Sequence, residues 1–126
     1  MNYALLLSGG RGLRTGSSMP KQYVTAGGCM MVTYPLVILL ESDFIDKVYI
    51  VCEEEWKDAI LEDAKKKKAD IGKISGFAQP GETRQLSILN GLERIGADNS
   101  SADGQSDTVL IHDAARPNLT KELIRR

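Results

Sequence analysis

The chain has little of what defines several protein classes. Only two of its 126 residues are cysteine and one is histidine. Cys29 and Cys52 have no metal-ligand spacing between them, so the sequence encodes neither a disulfide framework nor a zinc site, and the two read as buried free thiols of a reducing cytosol. Charge bias is missing as well. Sixteen basic and seventeen acidic residues leave a net charge of −1, which gives no global field to draw the chain onto nucleic acid or an anionic membrane. Long apolar runs are absent: the longest, Leu36 to Leu40, is far below the roughly 20 residues that span a bilayer. The N-terminus shows no cationic leader or cleavage pattern, no internal repeat is found, and the chain reads as cytoplasmic. An apolar fraction of 42% and a charged fraction of 26% are those of an ordinary globular domain able to bury a core.

What is present is an alternation of strand and helix patterns. Tyr3 to Leu7 and Lys47 to Cys52 are nearly continuous apolar runs of the kind buried on both sheet faces. Thr108 to His112 is a further strand, ending at Asp113, and Lys73 to Ala78 is a weaker candidate. Helical patterns fill the intervals at Pro35 to Ser42, Glu54 to Lys67 and Thr83 to Ile95, with Pro35 tolerable in a first turn. Lys65 to Lys68 close the second of these and suit its C-terminal dipole, a solvated face rather than a basic patch. Ala97 to Asp107 is aperiodic and polar and reads as a surface loop. Such alternation predicts right-handed βαβ crossovers and an α/β fold, a three-layer sandwich around a mainly parallel sheet.

Ligands of such sheets bind beyond the carboxyl ends of the strands, and three segments there contain unusual residues. The first is the loop of residues 8 to 22, with glycines at 9, 10, 12 and 16 and the cations Arg11, Arg14 and Lys21. Glycine lets backbone N–H groups approach a ligand closely, and the cations supply the charge that a polyphosphate requires. Its spacing is neither the dinucleotide fingerprint nor the Walker pattern, and Met19-Pro20 stops any immediate helix. The second is Gln79 to Ser87, a turn opening a helix whose apolar face is read as Leu86, Ile88, Leu89, Leu92 and Ile95, with Arg84, Ser87, Asn90 and Gly91 on the polar side. A helix start there offers N–H groups to an anion. The third is His112-Asp113-Ala114-Ala115-Arg116-Pro117, where an aspartate at a strand end can hold Mg²⁺ or a ribose hydroxyl and two alanines leave room for a ligand. His112, the lone histidine, is read as structural.

Taken together, Ser-Gly-Gly-x-Gly-x-Arg at 8 to 14, Pro20-Lys21-Gln22, Gly81 through Ser87 and His112 to Pro117 resemble the cytidylyltransferases that act on 2-C-methyl-D-erythritol 4-phosphate. The resemblance implies a Rossmann-like nucleotidyltransferase fold that binds CTP with Mg²⁺ and transfers CMP to a polyol phosphate, releasing pyrophosphate, in isoprenoid precursor synthesis. Carried over by position, Arg14 and Lys21 are the catalytic residues on the triphosphate, and Leu7, Ser8, Gly9, Gly10 and Gly12 line the nucleotide. Gly81, Glu82, Thr83, Arg84 and Ser87 surround it from the second segment, with cytosine at Gly81, Glu82 and Ser87. Asp113 and Ala114 take the ribose and the metal, Asp113 being the metal ligand. Arg11 is expected to be solvated.

The sequence departs from the family pattern in places. Ser8-Gly9 stands for the common Ala-Ala or Ala-Gly, Glu82 for an aspartate or small residue, and Tyr34-Pro35 for His-Thr. Family members are also nearly twice as long. Residues 1–126 therefore read as the CTP-binding portion of a nucleotidyltransferase domain whose C-terminal part is missing. The residues that grip the polyol phosphate and an arm used in homodimerisation belong to that part, so weak CTP binding with little turnover is expected. A ribitol 5-phosphate cytidylyltransferase is the nearest alternative, and a non-catalytic nucleotide-binding or interaction module is the alternative of another class.

Overall fold

A computed structural model describes residues 2–8, 25–26, 28–98 and 108–113. Strand β1, Asn2–Leu7, carries five consecutive buried residues, because it lies inside the sheet with a parallel neighbour on either side. Those neighbours are β4, Lys47–Val51, and β6, Thr108–Asp113; β5, Ile74–Ala78, pairs with β4, also in parallel, giving the order β5-β4-β1-β6. The predicted parallel sheet is thus observed, with its strand limits shifted by one residue at most in each of the four.

Alternation along the strands divides the core into two layers. Ala4 and Leu6 of β1 and Val48 and Ile50 of β4 point to one face, where they meet Leu36, Leu39 and Leu40 of α1, Thr33–Glu41, and Ile60 and Ala64 of α2, Lys57–Lys66. Tyr3, Leu5, Leu7, Tyr49 and Val51 point to the other, covered by α3, Arg84–Asp98, through Ile95. Helices on both faces of a parallel sheet make the three layers of a Rossmann-like α/β fold.

A short hairpin that the sequence reading did not anticipate joins β2, Thr25–Ala26, to β3, Cys29–Met30, in antiparallel pairing. Its turn requires Gly28, whose φ of 95° is left-handed. The hairpin is pinned to α2 by Asp63, a buried carboxylate that accepts from the Met30 N–H at 2.9 Å and from the Thr33 hydroxyl. Lys65 to Lys68 are exposed at the end of α2, as expected, and Lys68 closes the helix with a φ of 60°. Cys29 and Cys52 are buried free thiols, also as expected. Burial pushes the Cys52 thiol up to about 12.

Helix α3 corrects the sequence reading. Its inward ridge is Ser87, Gly91 and Ile95, while Leu86, Leu89 and Leu92 are 44, 48 and 38% exposed. The large side chains on this face of the sheet fill the layer, so the helix packs with its smallest ridge inward. A β-carbon on Gly91 would lie 2.5 Å from Cδ1 of Leu5. Arg94 donates to the Phe77 carbonyl at 2.9 Å and the Tyr49 hydroxyl donates to Asp98 at 3.1 Å, fixing the far end of the helix on β4 and β5.

Candidate nucleotide-binding site

All four strands of the sheet run in one direction, so their carboxyl ends share one edge. The registers Leu7↔Asp113, Leu7↔Val51 and Val51↔Ala78 place Asp113, Leu7, Val51 and Ala78 in a row along it. Ser8 continues β1 by one residue, fully buried, with its N–H donating to the Val51 carbonyl at 2.7 Å. Leu7 and Ser8, both predicted site residues, therefore stand at the centre of the edge.

The segment 79 to 87 leaves the Ala78 end of that row and crosses toward Asp113 at the other. Thr83 caps α3, its hydroxyl oxygen accepting from the Leu86 N–H at 3.1 Å and its carbonyl from the Ser87 N–H at 3.0 Å. Ahead of the cap the chain folds back so that the Gly81 N–H donates to Ser87 Oγ at 2.9 Å. The turn has room for glycine alone, because a β-carbon at Gly81 would lie 2.4 Å from Leu86 Cβ and 2.9 Å from the Leu86 carbonyl carbon. Asn90, one helical turn along from Ser87, donates to the Gln79 carbonyl at 2.9 Å and anchors the other side of the turn. Ser87 is accordingly a buried residue on the sheet side of α3, not one of a solvated polar face. Its oxygen accepts from Gly81, which leaves the hydroxyl proton to be given elsewhere. Glu82 and Thr83 are exposed at the lip of the turn.

Two predicted site residues from different segments meet directly. Arg84 Nε lies 3.2 Å from Oδ1 and 3.3 Å from Oδ2 of Asp113. The pair bridges the start of α3 and the end of β6, so the second and third candidate segments form one surface. Sequence reasoning singled out both residues without their pairing. The available signal was an arginine opening a helix that has no acidic residue in its first turn, where the dipole disfavours a cation unless a carboxylate answers it.

Asp113 is the sheet-edge carboxylate on which the sequence reading places a divalent cation, and Arg84 contacts it. Among the described residues no cluster of three or more His, Cys, Asp or Glu side chains could cage a metal. A single carboxylate at a strand end suits Mg²⁺ brought in by phosphates, which supply its remaining ligands together with water. His112 pairs with Leu6 within the sheet. The predicted residues Gly9, Gly10, Gly12, Arg14, Lys21 and Ala114, and Arg11 with them, lie outside the described residues.

Comparison with known proteins gives this geometry a family. The family model described as 2-C-methyl-D-erythritol 4-phosphate cytidylyltransferase matches residues 3–126. The protein of that name from Thermotoga neapolitana is 40% identical over 124 residues, 98% of this chain and 51% of its own length. A ribitol-5-phosphate cytidylyltransferase from Vibrio parahaemolyticus is 36% identical over 127 residues, covering 100% of this chain and 51% of its own. The crystal structure of 4-diphosphocytidyl-2C-methyl-D-erythritol synthase from Anaerococcus prevotii superimposes with a TM-score of 0.70 at 28% identity, over 98% of this chain and 47% of that one. The chain spans about half the length of the curated relatives it matches. With the family match running over residues 3–126 and a relative of that name 40% identical over 98% of the chain, the chain belongs to the 2-C-methyl-D-erythritol 4-phosphate cytidylyltransferase family.

Proposed function

We propose that the chain is the CTP-binding portion of a cytidylyltransferase that moves CMP from CTP to 2-C-methyl-D-erythritol 4-phosphate and releases pyrophosphate. The observation that carries this reading is the convergence of the Gly81–Ser87 turn and Asp113 on the sheet edge beside Ser8. Family membership over residues 3–126 supports it.

In this reading the cytosine lies against the Gly81 turn. Backbone groups there and the Ser87 hydroxyl, whose proton is left to donate, match a base that offers an amino donor and a carbonyl acceptor. Asp113, with Ala114 beside it in the chain, serves the ribose and a divalent cation. That cation, when bound with the nucleotide, neutralises charge on the phosphate oxygens. Arg14 and Lys21 oppose the negative charge that develops on the non-bridging and leaving oxygens as the α-phosphorus is attacked. The glycines at 9, 10 and 12 let the backbone approach the triphosphate. The attacking phosphate monoester has a second pKa of about 6 and is largely ionised at neutral pH, so the reaction requires no general base to create its nucleophile.

The chain spans about half the length of the curated relatives it matches, and on this reading the 126 residues carry the nucleotide-binding part of the site and by themselves bind CTP·Mg²⁺ weakly with little turnover. We place the protein in the cytoplasm; among the described residues no helix is long and apolar enough to cross a membrane. Calorimetric titration of the folded chain with CTP, UTP and GTP in Mg²⁺ tests the reading: CTP binds best, and Lys21→Ala and Asp113→Asn weaken it. Absence of CTP binding by the folded chain removes the proposal. A ribitol 5-phosphate acceptor is the second reading, favoured by the Vibrio relative. Pyrophosphate release measured with each acceptor decides between them, and the methylerythritol phosphate is expected to give the faster rate.

A further inference from the structure

The turn ahead of α3 has few groups by which it can be held. Pro80 has no N–H to give, which leaves the Gln79 carbonyl and the Gly81 N–H on either side of it as handles. Both are taken by side chains of α3. Asn90 Nδ2 donates to the Gln79 carbonyl at 2.9 Å, and one helical turn earlier Ser87 Oγ accepts from the Gly81 N–H at 2.9 Å. Next to Asn90 in the chain, Gly91 seats the helix on Leu5, where a β-carbon would lie 2.5 Å from Cδ1. The sheet thus fixes the helix, and the helix fixes the turn.

We propose that Asn90 is a positioning residue for base selection: by holding the Gln79 carbonyl it fixes the backbone of residues 79 to 81 against the nucleobase, and the preference for cytosine over uracil depends on it. This role rests on the nucleotide-binding reading. Cytosine presents an amino donor and an acceptor ring nitrogen where uracil presents a carbonyl acceptor and an N–H donor. Backbone groups displaced by more than about 0.5 Å no longer match the one pattern and reject the other. Ribose and triphosphate are common to both nucleotides, so the ratio of the two affinities isolates the turn.

The test is a set of NMR titrations of the 126-residue chain with CTP, UTP and inorganic tripolyphosphate, each in Mg²⁺. Asn90→Asp keeps the shape but sets a carboxylate oxygen against the Gln79 carbonyl, acceptor to acceptor. It is expected to lower the CTP-to-UTP affinity ratio roughly two- to tenfold, the scale of one hydrogen bond, and to leave tripolyphosphate affinity little altered. Asn90→Gln, which retains an amide donor, keeps more of the ratio. Without ligand, exchange of the Gly81 N–H accelerates in Asn90→Asp while that of Ile50, inside the sheet, does not. An unchanged ratio in folded Asn90→Asp overturns the proposal, and so does equal weakening of CTP, UTP and tripolyphosphate, the mark of a purely structural role. Should that variant fail to fold, Asn90→Ala is judged by the same ratio. If the unsubstituted chain binds CTP no better than tripolyphosphate, the nucleotide reading falls and the role of Asn90 with it. A cytosine preference that is present in the unsubstituted chain and survives in the variants removes the role of Asn90 alone.

Discussion

Gly91 of α3 lies against Leu5 of β1 with no space for a methyl group between them: a β-carbon there would come within 2.5 and 2.6 Å of the two δ-carbons of Leu5, itself fully buried. This approach sets the height of α3 over the sheet, and with it the place of Ser87 and Gly81 at the sheet edge. Gly91→Ala is expected to destabilise the chain by about 1–3 kcal/mol, the usual cost of overpacking, despite alanine's better helix propensity. Gly96, in the same helix, has nothing within 4 Å of its would-be β-carbon, so Gly96→Ala is expected to stabilise by about 0.5–1 kcal/mol. Urea unfolding of both variants checks the pair, and a Gly91→Ala chain as stable as Gly96→Ala would refute the packing argument.

Ser87 and Gly81 hold one another. Removing the hydroxyl in Ser87→Ala leaves the Gly81 N–H without its acceptor at 2.9 Å, and is expected to cost about 1 kcal/mol because the turn is only partly buried. Gly81→Ala costs more, about 1–3 kcal/mol, since its β-carbon meets Leu86 backbone as well as side chain. Thermal unfolding gives the order, and CTP titration is expected to weaken in the same order. Gly81→Ala unfolding no earlier than Ser87→Ala would contradict it.

Asp63 binds the hairpin to α2 through buried hydrogen bonds from Met30 and Thr33. Asp63→Ala orphans both donors and is expected to cost about 2–4 kcal/mol. Asp63→Asn keeps an acceptor and costs less. Amide exchange at Met30 is the local readout: it accelerates in Asp63→Ala, and protection equal to that of the unsubstituted chain would show that the carboxylate is not what holds the hairpin.

Cys52 gives the chain an alkaline limit. Its thiol is raised from 9.0 to about 12 by burial, so above pH 9 the unfolded chain releases a proton that the folded chain retains. The folded state then binds more protons, and stability is complete below pH 9 and lost as pH rises toward 12. The slope approaches about 1.4 kcal/mol per pH unit from this one group. Cys52→Ala lowers stability at neutral pH through lost packing but flattens that slope. Parallel alkaline slopes for the two chains, measured by urea unfolding between pH 9 and 11, would rule the thiol out as the cause.

Much of the sheet is legible in the sequence, because β1, β4 and β6 are apolar on both faces and no competing pattern explains such runs. The small hairpin is not, since two-residue strands have no period; its only trace is the glycine at 28. The face of α3 is misread for a physical reason. A hydrophobicity wheel turns the leucines inward, but a sheet already crowded with Leu5, Leu7, Tyr49 and Val51 accepts only a shallow ridge. Ser87-x-x-x-Gly91 was the signal that outranked the leucines. The candidate site was legible as separate segments, and Glu82, Thr83, Arg84, Ser87 and Asp113 were all named from them. That Arg84 reaches Asp113 was not legible, because the contact joins residues 29 apart and depends on how the crossover lays α3 across β1.

The strand order β5-β4-β1-β6 has a consequence in time. Three neighbours can assemble from the first 78 residues of the pairing pattern, but the strand that ends in Asp113 docks on β1 only after the longest loop in the sheet has been closed, a slow kind of contact to form. Among the described strands, the one that carries this carboxylate is thus the one whose pairing closes the longest stretch of chain, and a chain in which β6 has not docked lacks Asp113 at the sheet edge.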